Sequence, residues 1–293
     1  MLQAWRTKQI QRRKKRKKAQ PESLLRTQVI VGVCIVLAIS LLGAGVWYGS
    51  RIAALQITEV SVVGGFTIPH SEIEDKVWER LTGSYVRFVP YTFAPTYPKK
   101  AIIEHLYSID RVKNVHIETL QKQKIVVAFD EYQPHALWCT EVGAKGCLFL
   151  DETGFAFGMA PDLTGSAFIR YTNPSSVPER KTQGFETAFI KESQAFADLL
   201  AKELDLYVVH VEKFDDLDST YTVSGGGVLK VSQLMDIELS FNNLKSILSS
   251  EQFIHLQNGA FQYIDLRFGD KIFLNEEDEI EKETATSSEA AGI

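Results

Sequence analysis

The chain has 293 residues, 45% of them hydrophobic and 24% charged, with a formal net charge of −5 at pH 7. That total conceals an asymmetry: residues 1–26 hold ten Lys/Arg and one acid, whereas residues 51–293 hold 22 basic and 36 acidic residues, a net charge of −14. Three cysteines without CxxC spacing and six histidines without an HExxH motif argue against a thiol redox centre, a cysteine-rich zinc fold and a zincin-type hydrolase.

The first 26 residues form a basic tail that includes the run RRKKRKK at 12–18. Alone, such a run suggests nucleic acid. Beside an apolar segment it reads instead as a topology signal that touches anionic lipid headgroups, at roughly 1 kcal/mol per basic residue, and no nucleic-acid partner is expected. Residues 27–50 follow, 24 in a row without a charge. A helix of that length covers about 36 Å, more than the roughly 30 Å of a hydrocarbon core. Cys34 sits in it as a small apolar filler. Trp47 and Tyr48 fall where an interfacial aromatic belt lies, and their bulk argues for a retained anchor over a cleaved signal peptide. The positive-inside rule then leaves the N-terminus cytoplasmic and everything beyond residue 50 extracytoplasmic.

Beyond the anchor, residues 57–63 alternate as a strand, with Val60 and Val62 against Glu59 and Ser61, and Gly64-Gly65 ends it. The spacing of Ile73, Val77 and Leu81 predicts a helix over 69–81, with Ser71 and Glu74 set as a capping box and Gly83 as the stop. Residues 84–97, with five aromatics and two prolines, read as a packed loop. A second helix opens at Pro98 and is expected to bury Ile102, Ile103, Leu106 and Tyr107. Two strands complete the unit, one alternating at Val115, Ile117 and Thr119, the other at Ile125, Val127 and Phe129. The order is β-α-α-β-β. Together with the strand-turn VSVVGG it resembles a POTRA domain, a small partner-docking module.

From residue 132 the pattern changes to short strands broken by turns. Residues 136–139, 147–150 and 155–159 read as a meander, with Asp151-Glu152-Thr153-Gly154 as a tight connection. Cys139 and Cys147 end two facing apolar stretches, so a disulfide across the hairpin is expected, worth roughly 2–3 kcal/mol in the chain-entropy model. A strand at 168–171, a helix over 185–204 and strands at 207–211 and 221–223 follow. Gly225-Gly226-Gly227 turns the chain into 228–231, and a helix over 236–248 aligns Ile237, Phe241, Leu244 and Leu248. Residues 260–274 form the last apolar, β-prone stretch. The acidic segment 276–293 lacks the apolar content for a core and reads as disordered.

A basic tail, one anchor, a POTRA-like unit and a β domain that starts near LFLDETGFAF and ends in YIDLRFGDKIFL resemble the FtsQ/DivIB family of bacterial cell-division proteins. The similarity runs from about residue 24 to 274. Two features depart from it: the turn Gly225–Gly227 with Leu229-Lys230-Val231 replaces an Asn-Gly turn and Leu-Gly strand end, and the Cys139/Cys147 pair is not a general family feature. The resemblance implies an α+β chain: one transmembrane helix at 27–50, a POTRA-like domain at 55–131, and a mostly antiparallel β domain with two helices at 132–275. It implies a divisome scaffold that binds FtsB/DivIC-like and FtsL-like coiled-coil proteins at the septum, with other divisome membrane proteins meeting the POTRA-like domain. Carried over residue by residue, Arg267 pairs with a partner acid, Phe268 is an apolar anchor, and Asp270, Lys271, Ile272 and Phe273 offer backbone hydrogen bonds.

The chain's own chemistry points the same way. His210 and Glu212, two residues on one strand face, are too few for a metal and are expected at the surface. No GxSxG elbow precedes a helix, the triple glycine lacks a following GK[ST], and Asp215-Asp216 sits in a polar loop. No enzyme activity and no cofactor are expected. The final strand, with nothing after it to cover its outer side, is the candidate binding edge. A POTRA-containing transport component that chaperones extended polypeptides is the alternative, although no run of barrel strands follows. An exported hydrolase would need a nucleophile and base that are not found.

Overall fold

The computed structural model describes residues 22–121, 123–214 and 217–276. The RRKKRKK run, Asp215-Asp216 and the acidic segment beyond residue 276 lie outside them. The first element is an uninterrupted helix, α1 (Glu22–Gly49), in which Leu25–Gly49 is long and apolar enough to cross a membrane. Its last carbonyls are satisfied locally: the Ser50 amide donates to Val46 O, and the Ser50 hydroxyl and the Arg51 guanidinium both donate to Trp47 O.

The chain divides into two compact units. One holds the residues up to Gly64, Pro69–Leu106 and His116–Ala128; the other holds Gly65–Ile68, Tyr107–Val115 and the chain from Phe129 on. In the first, the order is β1 (Glu59–Gly64), α2 (His70–Leu81), β2 (Ser84–Tyr85), β3 (Val89–Pro90), α3 (Lys99–Leu106), β4 (Val112–Leu120) and β5 (Lys124–Glu131), the ends of β4 and β5 counting with the second unit. β1, β5 and β4 form a three-stranded sheet in that order. The alternating residues Val60, Val62, Ile117, Ile125 and Val127 are buried, as are Ile73, Val77, Leu81, Ile102 and Leu106 at helical spacing.

Three expectations for this unit need correction. Pro69, not Ser71, is the N-cap of α2, and it makes no side-chain cap because proline carries no acceptor there; Ser71 is already inside the helix. Tyr107 lies past the end of α3 and is 40% exposed, its hydroxyl accepting from the Val115 amide. Residues 84–90 are a small hairpin of β2 and β3 rather than plain loop. Its turn is closed by the Phe88 amide donating to Tyr85 O, with Val86 and Arg87 at left-handed φ.

The second unit is built on a ten-stranded sheet. Its strands are β6 (Ala136–Trp138), β7 (Leu148–Leu150), β8 (Phe155–Met159), β9 (Arg170–Thr172), β10 (Thr182–Gln183), β11 (Val208–Lys213), β12 (Asp218–Val223), β13 (Val228–Ser232), β14 (Tyr263–Phe268) and β15 (Lys271–Asn275). They lie in the order β10-β8-β7-β6-β9-β11-β12-β13-β14-β15. The meander β6-β7-β8 is antiparallel, as its short turns require. The parallel pairs are β6 with β9, β9 with β11 and β13 with β14. The last two are joined through helices, α4 (Thr187–Leu204) and α5 (Ile237–Leu248), because a parallel partner must be reached by a crossover. The architecture is therefore mixed α+β with a mostly antiparallel sheet.

One core cluster joins both helices to the sheet, with Phe189, Phe196 and Leu200 of α4, Phe241, Leu244 and Leu248 of α5, and Tyr171, Val211, Tyr221, Leu229 and Ile264 from the strands. Leu137, Cys139, Cys147 and Ala160 form a second, smaller cluster. Consecutive residues 136–139 thus serve two cores, which is why they read as an apolar run and not as an alternation. Cys139 and Cys147 are joined in a disulfide across that hairpin. The turn at 151–154 is set by Asp151, which is buried and accepts from the Thr153 amide, the Thr153 hydroxyl and the Phe155 amide. The triple glycine is the β12–β13 turn. A Cβ at Gly225 would stand 2.4 Å from Asn258 O, and one at Gly227 2.5 Å from the Phe261 ring, so close packing and turn geometry both demand glycine.

Candidate partner-binding edge

The final apolar stretch is two strands and not one. Gly269, at a left-handed φ of 62°, and Asp270 turn the chain back, so β15 pairs antiparallel with β14 while β14 also pairs parallel with β13. β14 is therefore interior, with Ile264 and Leu266 in the core, and the element that covers its outer side is the second half of the same stretch. β15 ends the sheet, and among the described residues no strand pairs its outer side. Ile272 and Leu274 pack on the core while Lys271, Phe273 and Asn275 face solvent, an alternation that fits a strand with one buried face.

A register shift lies between the pairs Asp265↔Phe273 and Phe268↔Lys271, so Leu266 and Arg267 stand opposite Ile272 alone. Such a bulge re-aims the side chains beside it. Arg267 Nε and Nη2 donate to the two carboxylate oxygens of Asp265 at 2.9 and 2.7 Å, and Nη1 donates to Asp218 at 2.5 Å. Planar guanidinium matches carboxylate in this two-point fashion. Burial pushes the Asp265 carboxyl up, but the hydrogen bonds and charge of Arg267, with Lys230 nearby, hold it below the usual aspartate range. Asp265 and then Asp218 in turn hold Arg267 more firmly protonated. The guanidinium expected to meet a partner acid is thus engaged with two acids of its own chain.

The neighbouring aromatics are arranged differently. Phe268 and Phe273 meet edge-to-face across the hairpin, with ring centroids 5.5 Å apart, and both are more than half exposed, at 55% and 53%. Asp270 and Lys271 are exposed at the turn and the strand start. The turn itself is held by Asn243 of α5, whose amide donates to Gly269 O at 3.0 Å. Lys271, Ile272 and Phe273 therefore lie on a strand whose outer edge no described strand pairs, with Asp270 in the turn before it and an aromatic pair at its head, whereas Arg267 braces the strand behind it. The pairing of Phe268 with Phe273 and the part played by Asp218 went unanticipated. The i, i+2 spacing of Asp265 and Arg267 on one strand face was the available signal; Asp218, 49 residues away, had none.

His210 is the other relocated residue. It is buried, and its ring Nε2 makes a 2.8 Å hydrogen bond with the Thr172 hydroxyl across β9 and β11, which corrects the expected surface position. Burial, then the Arg170 charge, lowers its pKa and favours the neutral ring. A parallel pairing made it an interior residue. Among the described residues no group of three or more His, Cys, Asp or Glu is arranged to hold a metal ion. No family model and no curated protein matches this chain.

Proposed function

We propose that this protein is a bitopic cell-division scaffold of the FtsQ/DivIB type, which accepts an extended segment of a membrane-anchored coiled-coil partner along β15. The observation that carries the reading is the outer edge of β15, which no strand among the described residues pairs, headed by the exposed Phe268–Phe273 pair. A strand added there gains main-chain hydrogen bonds from Lys271–Asn275 and an apolar anchor from the two rings. Arg267 sets the register from within by bracing β14 and supplies no new ion pair across the interface.

The remaining features support the same reading. α1 has the length of a membrane span, and the ten basic residues before residue 27, against net −14 beyond residue 50, favour a cytoplasmic N-terminus and an extracytoplasmic body. The three-stranded sheet β1-β5-β4 with α2 and α3, interrupted between the helices by the small β2–β3 hairpin, supports a POTRA-like module set directly after the anchor, available to other divisome membrane proteins. The partners proposed for β15 are FtsB/DivIC-like and FtsL-like coiled-coil proteins at the division septum.

Photo-crosslinking from single positions tests the proposal. A crosslinker at Phe273 in dividing cells is expected to capture a single-pass coiled-coil division protein, and one at Gln183, on the opposite sheet edge, is expected to capture none. Equal capture from both edges, or capture from Gln183 alone, would remove β15 as the interface.

A further inference from the structure

We propose that the β2–β3 hairpin dips into the outer leaflet of the bilayer beside α1, so that its tip acts as a second, shallow lipid contact. The inference rests on reading α1 as a membrane span. The tip consists of Tyr85, Val86, Arg87 and Phe88, and its three apolar side chains are all exposed, Val86 at 95%. Val86 and Arg87 both adopt left-handed φ, 48° and 62°. Turns of this kind favour asparagine and glycine, and a β-branched residue is costly in that region. Turn chemistry therefore does not explain valine at this spot, and water offers an exposed valine no compensation. A strained, solvent-facing apolar residue points to a partner for that side chain.

The position of Phe88 indicates which partner. Its ring is the nearest neighbour of Gly43, 3.7 Å from where a Cβ on that glycine would stand. Gly43 precedes the end of α1 by six residues, about 9 Å along the axis. The 25-residue apolar stretch extends over about 37 Å, so with a hydrocarbon core of roughly 30 Å centred on it, Gly43 lies several ångströms inside the acyl boundary. A side chain level with Gly43 is at the depth where interfacial helices bury their apolar faces. Trp47 and Tyr48, both exposed, stand just over one turn nearer the helix end, where an aromatic belt lies.

Cationic groups frame the tip. Arg51 donates one hydrogen bond to Trp47 O at 2.9 Å and one to Phe88 O at 3.0 Å, and its guanidinium lies 4.2 Å from the centroid of the Trp47 ring. This bridge ties the hairpin to the helix end at headgroup level, where Arg51 and Arg87 meet lipid phosphates favourably. The hairpin therefore matches an apolar wedge with a basic collar, the chemistry of a bilayer interface and not of an aqueous protein surface.

The test uses the full chain with Cys34→Ser, the Cys139–Cys147 disulfide intact, in phosphatidylethanolamine/phosphatidylglycerol vesicles. An environment-sensitive fluorophore is attached at Arg87→Cys, with Leu37→Cys and Glu118→Cys as references. The expected result is blue-shifted emission at position 87, quenching by lipids spin-labelled at a shallow acyl carbon, and loss of quenching by aqueous iodide. Phe88→Asp in the same background should restore iodide quenching without changing the far-UV circular dichroism. If the Leu37 probe answers only to a deep-acyl label while position 87 is quenched by iodide like Glu118, the hairpin proposal fails and the membrane span stands. If the Leu37 probe is itself open to iodide, both fail. A tip shielded from iodide yet insensitive to lipid spin labels means that protein covers it, which overturns the lipid contact.

Discussion

β14 and β15 are consecutive strands of one hairpin, drawn from a single apolar stretch, yet they behave as different kinds of surface. β14 has a neighbour on each side and three successive buried residues, Ile264, Asp265 and Leu266. β15 half-buries alternate residues only and leaves one edge unpaired among the described strands. The difference shows that hydrophobicity alone does not separate an interior strand from a strand at the sheet edge. What separates the two is whether backbone groups and aromatic side chains are already spent inside the fold.

The most damaging change should be Leu266→Ala in β14, which removes a side chain that is 1% exposed. A cost of about 2–5 kcal/mol is expected from denaturant unfolding of the detergent-solubilised chain. A cost near zero would mean that β14 is not core. Reducing the disulfide, which lies beside β6 and β7 in the other half of the sheet, should cost about 2–3 kcal/mol while leaving partner capture from β15 unchanged at native-favouring temperature. Labelling of the unreduced, denatured chain should find Cys34 as the one reactive thiol. Arg267→Glu should cost about 2 kcal/mol, because it places a third acid beside Asp265 and Asp218. It therefore lowers the melting temperature, whereas a purely partner-facing arginine would not.

The same contrast has a pH signature. Asp265 titrates below its ordinary range in the folded chain, so its pairing contributes in full above the unfolded aspartate value. That contribution disappears as pH falls through the lower folded value. Arg267→Ala should flatten this acid limb of the stability curve, and an unchanged limb would show that the pair carries no such linkage. The smallest stability effects belong to β15. Phe273→Ala and Phe268→Ala, at exposed positions, should shift stability by about 0.5 kcal/mol or less. Each should nonetheless weaken partner binding by about 2 kcal/mol if the pair is the anchor. Unfolding in step with lost binding would make β15 core like β14.

Much of this was legible in the chain. The uncharged stretch 27–50 required a long apolar helix, because nothing within it interrupts the backbone ladder and no charge demands water. The meander with its Asp151–Gly154 turn and the facing cysteines followed from local signals: short alternating runs, an Asx turn and glycines where φ is positive. The two helices of the second unit came from their 3.6-residue apolar spacing. Less was legible where one residue type serves two settings. A valine-rich strand end reads alike in parallel and antiparallel sheets, so His210 seemed superficial until β9 paired beside it. The Gly269-Asp270 turn inside YIDLRFGDKIFL was visible as Gly-Asp, but the apolar residues on both sides concealed a reversal.

The sequence by itself determined the span-length helix, the order of elements and the burial of most alternating positions, because these depend on local periodicity and on charge, which need no distant partner. Only the tertiary structure decided which strand is interior, which one lies last among the described strands and whom Arg267 serves. Asp218 and Arg267 are separated by 49 residues and meet only because β12, β13 and β14 lie side by side. Strand order is set by packing of helix crossovers on the sheet. No local pattern encodes which strand will come to lie last.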